Sequence, residues 1–154
     1  MGRLSDLRTH VNYELEMLPD PKTRTVAVAH LYGVSLAATM LAKKRGLNPE
    51  LASMAAMLHD LWAYKNGSYE DHAHRGAALA REILEGLSLT SAEETEAICS
   101  AIYHHDDKLT TDGPMEELLK DADVIHHCMN DLSKAVKEKE RVRFESLCKE
   151  FGMT

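Results

Sequence analysis

An uncharged run that ends in a histidine and an aspartate is the feature that most limits how this chain can fold. Residues 51–62 are LASMAAMLHDLW, and the first eight of them include no charged residue and a single hydroxyl. A helix over this run is apolar nearly all round, so it has to be buried on every side. An ionised Asp60 at the end of such a helix is costly unless a cation or strong donors compensate it. A metal ion satisfies Asp60 and His59 together, so the pair predicts a metal site.

The rest of the chain predicts further helices and no strands. Apolar residues recur at helical spacing, and proline, glycine and N-cap residues separate the segments. The fold class that follows is all-α, a compact bundle of about six to seven helices. The predicted helices are residues 3–18, Lys22 to about Lys44, one that starts at Asn48 and carries the pair, one capped by Asp71, one opened by Thr90 or Ser91, a long one from Pro114 with apolar repeats to Val136, and Arg141 to Phe151.

Length and charge narrow the functional classes. The 154 residues are expected to form one domain over 1–154. A net charge of -7 argues against general nucleic-acid binding, but a metal with a few cations can still attract a small anionic substrate. The three cysteines are widely spaced, which predicts neither a disulfide framework nor a thiolate zinc site. The charged start lacks a signal segment, so we expect a cytoplasmic protein that is not in a membrane.

Further ligands for the predicted metal have to come from other helices. Adjacent helical residues point about 100° apart, so His59 and Asp60 can share one ion most easily where their helix ends. Imidazole and carboxylate ligands suit Mn, Fe, Co, Ni or Zn, and Mg less well. From the residues alone the candidates stay open: His30, His72 or His74, His104 or His105, and an aspartate of the long helix, whose apolar stripe centres closer to Asp121 than to Asp123.

Several of these residues match a known pattern in the same order. His30, His59-Asp60 and Asp123, the last within KDADVIHH, resemble the H…HD…D signature of the HD-domain metal-dependent phosphohydrolases. HAHRGA resembles the H-x-x-x-G segment of that family with His72 on the histidine, and AIYHH resembles its I-x-x-H segment with His105. The resemblance extends from about Val26 to His127.

The resemblance implies a site and a reaction. In such proteins residues matching His30, His59, Asp60 and Asp123 hold a divalent metal, and some members hold a second metal through residues matching His72 and His105, so one or two ions per chain are expected. A water activated by the metal then attacks a phosphate ester or anhydride, in a nucleotide or another small phosphorylated molecule. We also name Asp60 as the candidate catalytic residue. The cations near the proposed ligands in sequence, as candidates for phosphate contacts, are Lys65, Arg75 and Lys108.

Departures from subfamily patterns leave the substrate open. No acidic pair follows the HD dipeptide, Ala63 stands where many cyclic-dinucleotide members have lysine, and Ala27 stands where an arginine is common. A second hypothesis is a metal-holding module without turnover that acts as a ligand sensor or interaction domain. His126 and His127 are interpreted as residues of the helix surface.

Overall fold

Eight helices make up the chain in a computed structural model that describes residues 2–153. No strand occurs among these residues, so the all-α prediction is confirmed. The helix count is eight because a short helix, α4, follows the one that carries the uncharged run. The helices are α1 (Arg3–Glu16), α2 (Pro21–Arg45), α3 (Pro49–Leu58), α4 (Leu61–Asn66), α5 (His72–Gly86), α6 (Ala92–His104), α7 (Pro114–Met129) and α8 (Glu138–Glu150).

The uncharged run forms α3, and every residue from Leu51 to Leu58 is buried, as its composition requires. Asn48 begins the helix by accepting hydrogen bonds from the backbone N–H groups of Glu50 and Leu51. α3 packs most extensively on α2 and also contacts α1, α4, α6 and α7. The end of α3 therefore lies where several helices can deliver side chains to one point.

The longest helix, α2, is the one helix in the described part of the chain that is long and apolar enough to cross a membrane. Half of its most apolar stretch is buried against neighbouring helices, chiefly α3 and α7. This packing places one side of α2 in the core. It also turns His30, in the middle of α2, toward the interior.

The long C-terminal helix is shorter than its apolar repeat predicts. α7 ends at Met129, and the side chain of Asp131 accepts hydrogen bonds from the backbone N–H and hydroxyl of Ser133. Such a local bond competes with helical geometry, and the side chain of Leu132 is left 80% exposed. The prediction that the helix continues to Val136 was wrong, because this polar turn outweighs two apolar residues.

Ion pairs fix α8 on α7 and on the end of α2. Arg143 of α8 donates to Glu117 at 2.6 Å and to Asp121 at 2.9 Å, both on α7. Arg45 at the end of α2 contacts Asp121 at 2.8 Å and Glu150 of α8 at 2.8 Å. The buried Leu147 adds apolar contact. The last helix is thereby held against the face of α7 that leads to the predicted site.

Gly33 allows α2 and α7 to approach each other. A Cβ atom at this position would collide with the His126 ring of α7. We expect Gly33→Ala to destabilise the fold by about 1–3 kcal/mol, because the ring or the helix has to move. Urea denaturation measures the change.

The matched control is Gly86→Ala, at the end of α5, where a Cβ atom would meet nothing within 4 Å. That change is expected to be neutral or stabilising by up to about 1 kcal/mol. Equal stability of the two variants would contradict the proposed contact between the helices.

Candidate metal centre

The helix that carries the pair breaks at the pair itself. α3 ends at Leu58, His59 keeps helical angles, and Asp60 has φ -112° and ψ 5° before α4 begins. The change in backbone direction lets two adjacent side chains point to one place, which a continuous helix does not allow. Gly76 of α5 lies against this break, where a Cβ atom would be 3.1 Å from the carbonyl oxygen of His59. The glycine of the HAHRGA segment thus permits close packing of α5 on the site.

Four predicted ligands meet in one buried cluster, called site 1: His30, His59, Asp60 and Asp123. One ligand atom from each lies within 4.8 Å of all the others. His30 Nε2 is 3.1 Å from His59 Nε2, 3.1 Å from Asp60 Oδ2 and 3.2 Å from Asp123 Oδ1. Atoms bound at about 2.1 Å to one ion lie roughly 3.0–3.4 Å from their neighbours in octahedral or tetrahedral geometry. The spacing is therefore that of a coordination sphere.

A second cluster, site 2, shares Asp60 and adds His72 and His105. Its ligand atoms also lie within 4.8 Å of one another. The Oδ1 atom of Asp60 is 3.2 Å from His105 Nε2 and 3.4 Å from His72 Nε2, while its other oxygen faces site 1. Each carboxylate oxygen of Asp60 thus faces one of the two clusters.

Hydrogen bonds at Nδ1 orient three of the imidazoles. His59 donates Nδ1–H to Ala56 O at 2.6 Å, and the other two follow the same pattern, a carbonyl three residues earlier in the chain. The Nε2 atoms face the clusters with their lone pairs free, because the proton is on the other nitrogen. Metal-binding histidines are held in this way. The other two bonds run from His72 to Tyr69 O at 2.9 Å and from His105 to Ile102 O at 2.6 Å.

The buried oxygen atoms of the clusters need a cation. Asp60 Oδ1 and Asp123 Oδ1 accept no hydrogen bond, although both carboxylates are nine-tenths buried or more. When the rings are neutral, the Nε2 atoms near them carry lone pairs, which repel carboxylate oxygens and one another. A divalent ion at each cluster removes this repulsion and compensates the buried charge. The nitrogen and oxygen donor set without thiolate therefore fits a transition-metal ion.

A proton competes with such an ion for His59. Burial favours the neutral ring, but the charge of Asp60 and the short distances to the carboxylates of Asp123 and Asp60 outweigh it and raise the pKa of His59 to about 10. Burial also opposes ionisation of Asp60, yet the charge of His59 and contacts with His105 and His30 hold its pKa well below the usual value. By contrast, burial lowers the pKa of His105, which favours the neutral ligand form.

The choice between the two aspartates of α7 has a structural answer. Both are buried, but Asp123 faces site 1, whereas Asp121 binds Arg45 and Arg143. The apolar stripe thus located an inward carboxylate correctly, but that carboxylate belongs to the α8 network. Asp123 is not solvated, as the alternative interpretation required.

Lys108 contacts the cluster through a predicted ligand. Its ammonium group donates to Asp123 Oδ2 at 2.8 Å and to His105 O at 2.6 Å, and the residue is buried. The Oδ1 atom of Asp123 is left to face the imidazoles. Lys108 was predicted to contact phosphate, but its position fits a residue that orients Asp123.

Two histidines interpreted as surface residues lie beside site 1. His126 Nδ1 is 2.9 Å from His30 Nδ1 and shares a hydrogen bond with it. His127 Nε2 is 3.3 Å from Asp123 Oδ1, and its ring stacks on that of His30. Both residues are half-buried, so each has a partly exposed ring that also contacts site 1. The available signal was helical spacing, because residues three and four positions after Asp123 share its side of the helix.

The remaining candidates lie farther out. His74 is half-exposed, bonds Asp71 and stacks on Tyr103, and His104 bonds the carbonyl of Ser100. Asp71 precedes α5 with a left-handed φ of 54° and makes no side-chain cap, contrary to our prediction. Two residues that were predicted to contact phosphate have other partners. Lys65 pairs with Glu14 of α1 at 2.6 Å, and Arg75 lies over the Trp62 ring.

A cavity of about 200 Å³ borders site 2 at His72. Tyr69, Tyr103 and His74 supply aromatic walls, and three aspartates add negative charge, namely Asp71, Asp106 and Asp107. A larger cavity of about 310 Å³ lies between α1 and α2, but no cluster residue lines it. The smaller cavity is therefore the candidate route to the centre.

Comparisons with known proteins show the family and the fold. The family model described as "HD domain" matches residues 27–128. "Putative phosphohydrolase YueE" of Bacillus subtilis strain 168 is 27% identical, over 78% of this chain and 80% of that protein. A 1.45 Å crystal structure of a "predicted HD superfamily hydrolase" from an uncultured Thermotogales bacterium has a TM-score of 0.66 and 20% identity, over 97% of this chain and 89% of that one. The structural likeness concerns the fold.

The aspartates of α7 give a matched pair of variants. Asp123→Asn is expected to lower bound transition metal, while Asp121→Asn keeps it and lowers stability by roughly 2–4 kcal/mol, because two arginines lose a buried partner. Elemental analysis and urea denaturation measure the two effects. Metal loss in Asp121→Asn alone would contradict the assignment.

Proposed function

Because this chain belongs to the HD domain family, we propose that it is a metal-dependent phosphohydrolase that cleaves a phosphate ester or anhydride of a small phosphorylated molecule. The observation that carries the proposal is Asp60, a buried carboxylate that faces two clusters of imidazole nitrogens, one on each oxygen. Such an arrangement is costly without cations, and two cations on a shared carboxylate are typical of phosphoryl-transfer sites.

Each side chain has a distinct part in the proposal. Site 1 would hold one ion through His30, His59, Asp60 and Asp123, and site 2 would hold another through Asp60, His72 and His105. When bound, the metal acidifies a water molecule and neutralises charge on the phosphoryl oxygens. Asp60 fixes the spacing of the two positions, and the Nδ1 hydrogen bonds keep the Nε2 lone pairs directed inward. The donor set favours Mn, Fe, Co, Ni or Zn over Mg.

The cavity beside His72 supports a particular kind of substrate. Its lining contains three aspartates and no lysine or arginine, and the nearby cations Arg75 and Lys139 face Asp71 and Asp106 at 3.7 and 3.6 Å. A polyphosphate chain would meet repulsion there, whereas a neutral or cationic leaving group with hydroxyls would find acceptors. The stacked Tyr103 and His74 rings offer an aromatic surface for it. A phosphate monoester, including a nucleoside monophosphate, fits best.

The decisive test compares wild-type protein with Asp60→Asn. Phosphate release is measured with Mn²⁺, Co²⁺, Zn²⁺, Fe²⁺ or Mg²⁺ against nucleoside mono-, di- and triphosphates, cyclic dinucleotides and p-nitrophenyl esters. Asp60→Asn is expected to lose activity by at least about a hundredfold, because both clusters lose their shared carboxylate. Asp6→Asn, an exposed change on α1, is the control and should match wild type.

Silence of the wild type with every metal would contradict catalysis. If the protein then still bound metal, the second hypothesis, a sensor or interaction module without turnover, would replace the first. Full activity in Asp60→Asn would exclude the proposed site while leaving an enzyme elsewhere in the chain.

Charge in the cavity gives a further prediction. Nucleoside monophosphates are expected to have a kcat/KM at least about tenfold above the matching triphosphates, because the extra phosphates face carboxylates. Asp106→Asn should narrow that difference. A wild-type preference for triphosphates would contradict this choice of substrate.

A further inference from the structure

His127 lies between a predicted metal ligand and a buried carboxylate of the last helix. Its Nδ1–H donates to Glu140 Oε1 at 2.8 Å, and its Nε2 lies 3.3 Å from Asp123 Oδ1. The ring also stacks on His30 with an interplanar angle of 11°. One residue is thus in contact with two ligands of site 1 and with α8.

Glu140 needs an explanation because it is an acid with only 1% of its surface exposed. Its Oε2 atom has no hydrogen-bond partner, and His127 is the residue that donates to Oε1. A carboxylate on a solvent-facing helix can normally remain in water. Burying the carboxylate of Glu140 costs free energy, and this cost suggests that the carboxylate has a structural role. The group it orients is the His127 ring.

His127 acts through Asp123 and is not itself a ligand of site 1. The four ligand atoms of that cluster lie within 4.8 Å of one another, and His127 is outside the set. Asp123 is contacted from two directions, by Lys108 at Oδ2 and by His127 at Oδ1. Lys108 donates a hydrogen bond to Oδ2, and the His127 ring packs against Oδ1 at 3.3 Å. Packing at one oxygen and a hydrogen bond at the other limit rotation of the carboxylate, which keeps Oδ1 toward His30 and His59.

We propose that His127, held by Glu140, is a positioning residue that fixes Asp123 for metal binding, so that α8 completes site 1. The inference rests on the proposed function, since it concerns the metal site of that function. It goes beyond the family pattern, because Glu140 lies after the matched residues 27–128. Partners of metal ligands typically alter metal affinity or activity about 10–100-fold when they are removed.

Paired substitutions test the contacts of the two ring nitrogens of His127 separately. Gln places its amide nitrogen near the His Nε2 position, and Asn places its amide near Nδ1. His127→Gln should therefore keep the contact with Asp123, whereas His127→Asn should lose it and keep a contact with Glu140. Glu140→Gln leaves the volume unchanged and weakens the hold on the ring.

The experiment titrates Co²⁺ into each full-length variant and follows visible absorption, with a competing chelator to obtain the Kd of site 1. His127→Asn and Glu140→Gln are expected to raise this Kd about 10–100-fold and to change the Co²⁺ spectrum. His127→Gln should stay closer to wild type. Glu145→Gln, an exposed change on α8, is the control for charge and should have no effect.

Leu147→Ala tests whether loss of helix packing alone explains the result. It removes a buried apolar contact of α8 without touching His127, and thermal unfolding of each variant shows which proteins are folded during titration. Wild-type Co²⁺ affinity in folded His127→Asn, or an equal loss in Leu147→Ala and Glu140→Gln, would overturn the inference. Failure of the wild type to bind Co²⁺ would instead overturn the proposed function.

Discussion

The buried carboxylate of Asp60 is the constraint on which the rest of the structure depends. It is 5% exposed, faces four imidazoles, and one of its oxygens accepts no hydrogen bond. In an apolar interior such a group has to be compensated by positive charge. In their neutral form the imidazoles present lone pairs to it, since three of them donate their Nδ1 hydrogens elsewhere. The cluster is thus complementary to cations rather than to hydrogen-bond donors.

The helices are arranged to bring distant residues to this carboxylate. α3 is buried on all sides and ends at the pair, α2 supplies His30 from its middle, and α7 supplies Asp123. Gly33 leaves room for the His126 ring, and Gly76 leaves room for the backbone carbonyl of His59, where a Cβ atom would collide with the ring or crowd the carbonyl. The buried Lys120 of α7 donates hydrogen bonds to Asp112 and to the carbonyl of Thr110. These bonds hold the loop after α6, which also carries Lys108, against α7. The helix contacts that form the core therefore also position the residues of the site.

Features of the structure that depend on neighbouring residues could be predicted from the sequence. Capping and spacing gave the helices, including the Ser91–Glu94 capping box, and motif order gave the residues that meet in the two clusters. Contacts between distant segments that lie outside this motif could not be predicted from the sequence. Helical spacing marked Asp121 as inward, but only the fold reveals that Arg143 of α8 binds it. Likewise, His127 and Glu140 belong to different helices joined by a turn, so neither carries a signal of its partner.

Anomalous diffraction from crystals grown with Co²⁺ or Mn²⁺ tests whether metal ions bind at site 1 and site 2, because it locates metal atoms independently of activity. One peak is expected within about 2.0–2.3 Å of ligand atoms from His30, His59, Asp60 and Asp123. A second peak is expected on the other oxygen of Asp60, beside His72 and His105. Crystals in which neither site 1 nor site 2 binds an ion, or in which Asp60 contacts none of the peaks, would contradict the proposed metal centre.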